Sequence, residues 1–152
     1  MDDKESIGDT LVMEVKVKVS QKLDPLNSLI EELKKSSDEI GAITVFVGVV
    51  RGSHEKEKVL KLEYEAHETL GPQIIEKIIS ELKTKYNIID AIVEHKVGVV
   101  QVGEEVMYVL IASNHRKEGR QALAELVDRV KHEVPIWKKE VTEKASYWVE
   151  NP

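Results

Sequence analysis

IIDAIVEHKVGVVQVGEEVMYVLIAS, residues 88 to 113, decides the fold class. It reads as two strands, IIDAIVEHKVG (88–98) and EEVMYVLIAS (104–113), separated by a turn around Val102-Gly103. Strand neighbours joined by a short turn favour a mixed α+β sheet over a doubly wound one. Upstream, GAITVFVGVV (41–50) is β-branched and apolar in both phases, which predicts a central strand covered on both sides, with Arg51 at its end. The polar GSHEKEK is then a mobile loop. VLKLEYEAH (59–67) alternates, with Leu60, Leu62, Tyr64 and Ala66 in one phase, so these two strands are expected to form a hairpin. An earlier strand, LVMEVKVKVS (11–20), sets Val15, Val17 and Val19 against Glu14, Lys16 and Lys18, the pattern of an edge or one-sided strand.

Three helices fit between these strands. Asp24-Pro25 supplies a cap and a first-turn proline for LNSLIEELKK, with Leu26, Leu29, Ile30 and Leu33 on one face and an end near Ser36-Ser37. Thr69 and Pro72 open a second helix running to about Tyr86, striped by Ile74, Ile75, Ile78, Ile79 and Leu82. The third covers roughly Lys117 to Glu133, with Leu123, Leu126, Val127 and Val130 inward, and Pro135 closes it. Three helices and six strands make one compact α+β domain over residues 1–152.

Composition narrows the function classes. The 152 residues are 41% hydrophobic and 33% charged, a globular balance, and the net charge of −6 argues against a surface built to hold nucleic acid. Any cationic site must be local. The absence of cysteine excludes a zinc ribbon, a redox CxxC and a thiol nucleophile. The start, MDDKESIGDT, is acidic where a secretion signal is basic and then apolar, and no apolar run reaches the length of a membrane span. A soluble cytoplasmic protein with no membrane partner is expected. His54, His67, His95 and His132 lack zinc-ligand spacing and read as surface or structural residues, so no metal site is predicted.

Chemistry concentrates in KHEVPIWKKE (131–140). Steps of four along the third helix give Leu123, Val127 and Lys131, so a lysine falls where the apolar stripe would continue. Beyond Pro135 an extended chain sends Ile136, Lys138 and Glu140 to one side and Trp137, Lys139 and Val141 to the other. Trp137 and Val141 are read as the buried side, and a pocket on the other side brings Lys131 and Lys138 together with Glu140 beside Lys138. Two neighbouring cations and partial burial favour a neutral amine, fit for proton transfer or nucleophilic attack, while the Glu140 carboxylate pulls the other way. Solvated lysines at a helix end, favourable to its dipole, satisfy the same spacing. Two strand ends carry further cations, Arg51 and His115-Arg116, the second just before a helix; such ends bind phosphate or carboxylate, and both are expected to serve one anionic ligand. Plainer roles are an ion pair of Arg51 with Glu55 or Glu57 and a capping or core role for His115.

Four ordered motifs, GVVR (48–51), LEYEAH (62–67), SNHR (113–116) and KHEVPIWKKE (131–140), followed by Trp148, resemble the large, catalytic subunit of molybdopterin synthase over residues 40–150. The resemblance implies an α/β hammerhead-like fold with an additional antiparallel β portion. It implies sulfur transfer to cyclic pyranopterin monophosphate (precursor Z) to form the dithiolene of molybdopterin. The sulfur comes as a thiocarboxylate on the C-terminal Gly-Gly of a small ubiquitin-like subunit, and the large subunit is a homodimer at the centre of a heterotetramer. No cofactor is implied. Lys131 and Lys138 match the family's catalytic pair, Lys139 and Glu140 complete the segment lining its pocket, and Val49, Val50, Arg51, His115 and Arg116 match its pterin- and phosphate-binding segments. Departures are Asn114 before His-Arg, His95-Lys96-Val97-Gly98 in the middle strand, the loop GSHEKEK and an end at Pro152. A binding module would need Arg51, His115 and Arg116 but not the lysine pair; a structural partner subunit would need neither.

Overall fold

The computed structural model describes residues 17–150. The elements, in chain order, are β1 (Val17–Ser20), α1 (Leu26–Lys34), β2 (Ala42–Val49), β3 (Ser53–His54), β4 (Glu57–Ala66) and α2 (Leu70–Tyr86). They continue with β5 (Asp90–Lys96), β6 (Gly98–Gln101), β7 (Glu105–Ser113), α3 (Arg116–Glu133), β8 (Ile136–Thr142) and β9 (Ser146–Val149). The first expected strand is present from Val17 on; Glu14, Val15, Lys16 and the residues before them lie outside the described range. Among the described residues no helix is long and apolar enough to cross a membrane.

The strands make two sheets. One has the order β1-β5-β7-β2, with β1 parallel to β5 and the other pairs antiparallel. Its middle strands are apolar on both faces because both faces are covered. Ile92, Tyr108, Leu110 and Ala112 meet α1 through Leu29 and Leu33, whereas Ala91, Val93, Val109 and Ile111 join Ile75, Ile78 and Leu82 of α2 and Leu126 and Val130 of α3. The second sheet is antiparallel, β3-β4-β8-β9, with β6 on β4 as well. Val59, Leu62 and Val100 from this sheet belong to the same core as α2 and α3, so the two sheets share one interior.

Several expectations are corrected here. The segment 88–98 is not one strand: Gly98, at φ +90°, turns the chain out of the first sheet, and β6 pairs with β4 instead. A left-handed φ of this kind is open to glycine without strain. The 41–50 strand is not central, because among the described residues β2 pairs only with β7 and ends the sheet. Nor does it form a hairpin with β4, which lies between β6 and β8. Leu60 is exposed, not in phase with Leu62: pairing with β8 skips it between Val59 and Lys61, so a bulge at Leu60 resets the alternation. GSHEKEK is no plain loop either, since Ser53-His54 pair with Glu57-Lys58 around Glu55 and Lys56, both at positive φ, the geometry of a tight hairpin. Asp24 does not cap α1; its carboxylate bonds Lys18 at 3.0 Å and its N–H donates to Glu94 Oε1 at 2.8 Å.

Candidate functional site

The end of β2, the last turn of α3 and the inner face of β8 enclose a pocket of about 280 Å³. Each wall follows from a periodicity. The four-residue steps of α3 carry Lys131 to its C-terminal end, where a cation suits the helix dipole. Two-residue alternation along β8 turns Ile136, Lys138 and Glu140 to one face. Antiparallel register sets Tyr64 of β4 opposite Lys138 and Leu62 opposite Glu140. Val49 and Arg51, as β2 ends, close a further side. A narrow recess lined by Tyr64, His95, Val130, Lys131, Ile136 and Lys138 continues inward from the lysines.

Charge and burial act together on these groups. Lys138 is held below the usual lysine range, first by burial and then by the cations of Lys131 and Arg51, with the Glu140 carboxylate opposing. His95 beneath them is buried. Burial, and then the two lysine cations, lower its pKa to about 4 against the favourable bond to the Lys96 carbonyl. Since that carbonyl can only accept, His95 Nδ1, 2.7 Å away, carries the hydrogen. Tyr64 packs edge-on to the His95 ring at 5.0 Å, and burial pushes its hydroxyl up to about 12. The pocket therefore offers cations at its walls, with the neutral Tyr64 hydroxyl and an uncharged imidazole at its floor, an arrangement whose walls suit an anion and negative charge that develops during a reaction.

The structure brings together Val49, Arg51, Lys131, Lys138 and Glu140. It does not bring in the others. Val50 is buried in the core at 3% exposure, its N–H bonded to the Glu104 carbonyl, so its side chain cannot touch a ligand. Lys139 lies on the outer face of β8, 3.5 Å from Glu63 and over the Trp148 ring at 5.7 Å. Trp137 is on that face as well and is 51% exposed, the reverse of the expected burial. The two-sided reading of the strand was correct and the side was not: Glu140 is the buried residue, because its Oε1 is satisfied by the Tyr147 hydroxyl at 2.9 Å and by His54 Nδ1 at 3.0 Å.

His115 and Arg116 stand at the far end of the first sheet, with Gly41, Asn114, Lys117 and Arg120. Ala42 pairs with Ser113 at that end and Val49 with Glu105 at the other, so the eight residues of β2 separate the two cationic patches by roughly 25 Å. One ligand cannot reach both within one chain. His115 also has the plainer role: it is the N-cap of α3, and its N–H donates to Glu118 Oε2 at 3.2 Å. Sequence reasoning missed Tyr64, His95 and His54 as pocket residues. Tyr64 had a signal, its alternation within LEYEAH. His54 had none, because its partner Glu140 is 86 residues away.

Residues 19–133 match the family model described as "MoaE protein". The molybdopterin synthase catalytic subunit of Pyrococcus abyssi is 39% identical over 137 residues, which span 89% of this chain and 93% of that protein. The crystal structure of molybdopterin synthase from Staphylococcus aureus superimposes with a TM-score of 0.79 at 27% identity, over 88% of this chain and 96% of that one. A chain from the complex of subunits 1 and 2 of the molybdopterin-converting factor of Helicobacter pylori, at 21% identity, shares the fold with a TM-score of 0.71 over 89% of this chain and 90% of that one.

Proposed function

The chain belongs to the MoaE protein family, and from that membership we propose how its pocket carries out the reaction of a molybdopterin synthase catalytic subunit, a sulfur transfer in molybdenum cofactor biosynthesis. The substrate is cyclic pyranopterin monophosphate, and the sulfur arrives as the C-terminal thiocarboxylate of a small ubiquitin-like subunit. The observation that carries this reading is the convergence of Arg51, Lys131 and Lys138 on one pocket, with Lys138 half-buried between the other two cations. Arg51 binds the substrate's anionic group. Lys138 pairs with the incoming tail, whose negative charge adds to that of Glu140 in offsetting burial and the neighbouring cations. Lys131 stabilises the oxyanion that forms at the tail's carbonyl or moves the accompanying proton; loss of one such donor costs about 10²–10³ in rate.

The second cationic patch enters through a second copy of the chain. Among the described residues β2 ends its sheet with apolar residues on both faces, all of its first seven half-buried, and its outer edge carries no strand, which makes it fit to take another. Antiparallel pairing of two β2 edges sets the His115-Arg116 end of one copy beside the Val49-Arg51 end of the other, so each site draws its lysines from one protomer and its outer anion clamp from the partner. The small subunit then binds at each end of this dimer. The test is a single-turnover conversion of precursor Z by this chain with a thiocarboxylated small subunit, the pterin identified by mass. Dithiolene product is expected, and none when the same small subunit ends in an ordinary carboxylate. Failure to form product with the thiocarboxylated partner would overturn the reading.

A further inference from the structure

The pocket wall beside Arg51 holds a carboxylate–imidazole pair that anion binding does not use. Glu140 is 5% exposed, and its Oε1 takes the Tyr147 hydroxyl at 2.9 Å and lies 3.0 Å from His54 Nδ1. An ionised carboxylate only accepts, so Nδ1 of the neutral ring carries the hydrogen and Nε2, on the opposite edge, keeps the lone pair. His54 is fixed in place twice: it pairs with Glu57 across the tight Glu55-Lys56 turn, and Glu140 grips its ring. Its side chain is 30% exposed and lines the same cavity as Lys131 and Lys138. A buried carboxylate that orients a half-exposed imidazole, with the lone pair left available, is the arrangement of a general base.

We propose that His54, oriented by Glu140, activates the water that releases the sulfur carrier. The inference rests on the sulfur-transfer reading above. Once the thiocarboxylate sulfur has bonded to a carbon of the pterin side chain, the carrier's terminal carbonyl is attached to that sulfur as a thioester. Water oxygen attacks this carbonyl carbon while one water proton passes to His54 Nε2. The C–S bond then breaks and its electron pair stays on sulfur. The products are a pterin thiolate and a carrier carboxylic acid; the acid loses its proton, His54 returns its own to solvent, and no electrons are exchanged with any other reagent. Arg51, Lys131 and Lys138 offset the negative charge on the carbonyl oxygen during the attack.

The experiment is a quenched single-turnover time course with the thiocarboxylated small subunit and precursor Z, in which mass spectrometry separates the carrier–pterin thioester from free carrier carboxylate. Wild type is compared with His54→Gln, Glu140→Gln and the double variant. For His54→Gln the thioester is expected to form at the wild-type rate and to break down about 10² or more times slower. Glu140→Gln slows breakdown less, and the double variant is no slower than His54→Gln, because the two residues act as one unit. Carrier release at the wild-type rate in His54→Gln overturns the proposal, as does equal slowing of thioester formation and breakdown, or additive losses in the double variant. Absence of both thioester and product in wild type instead overturns the sulfur-transfer reading itself.

Discussion

A neutral histidine beneath two lysines has a measurable consequence for the fold. His95 has a pKa of about 4 in the folded chain against about 6.5 when unfolded, so between these values the unfolded chain binds the extra proton. Stability is therefore full above pH 6.5 and declines as pH falls toward 4, by up to about 3 kcal/mol from this residue. Thermal unfolding at pH 4.5 and 7.5 is expected to give a smaller difference in Tm for His95→Gln than for wild type; an unchanged difference would mean that His95 takes up its proton in the folded chain. At this scale the sequence was partly legible. Lys131 and Lys138 were readable because a helical step and a strand alternation are local rules that fix where a side chain points. Trp137 was misread because which face of β8 is covered depends on α3 and on the His54–Glu140–Tyr147 bonds, contacts made far along the chain. An aromatic ring favours burial only where a layer exists to receive it, and Trp137 shares the open face with Trp148.

Elements hold the pocket's parts at fixed separations, and one tight joint is where α3 crosses the first sheet. A Cβ added at Gly119 would lie 2.7 Å from Ser113 Oγ and 2.9 Å from Thr44 Oγ1, so helix and strands touch through a residue that has no side chain. Gly119→Ala is expected to cost about 1–3 kcal/mol, since the strand hydroxyls must shift or the helix must lift. Part of the loss returns with Thr44→Ala, which removes one of the two obstacles. Differential scanning calorimetry of the single and double variants checks both statements; an unaltered Tm for Gly119→Ala contradicts them. The three helices were legible from apolar stripes and prolines within one or two residues of their ends. The strands were less so. Apolar character in both phases of β2 predicts cover on two faces but is silent on whether a strand has one hydrogen-bonded neighbour or two, and a bulge such as that at Leu60 leaves no mark in a pattern of alternation.

At the scale of the whole molecule, no single chain can bring its two cationic patches into one site. With Arg51 at one end of β2 and His115-Arg116 at the other, a site using both needs two copies. Mixing equal amounts of Lys138→Ala and Arg116→Ala chains, each inactive alone, is therefore expected to restore about a quarter of wild-type turnover, since half of randomly formed dimers are mixed and each holds one intact site. No recovery after subunit exchange would mean that each chain works alone. The sulfur transfer is proposed to take place in the pocket between β2, α3 and the inner face of β8, and the two faces of β8 supply their own control. Single-turnover rates with the thiocarboxylated small subunit should be measured for Arg51→Ala, Lys131→Ala, Lys138→Ala and Lys139→Ala. The three pocket variants are predicted to fall about 10² or more while Lys139→Ala stays within a few-fold of wild type. A loss at Lys139 as large as that at Lys138, or near-normal rates in the pocket variants, would contradict the account.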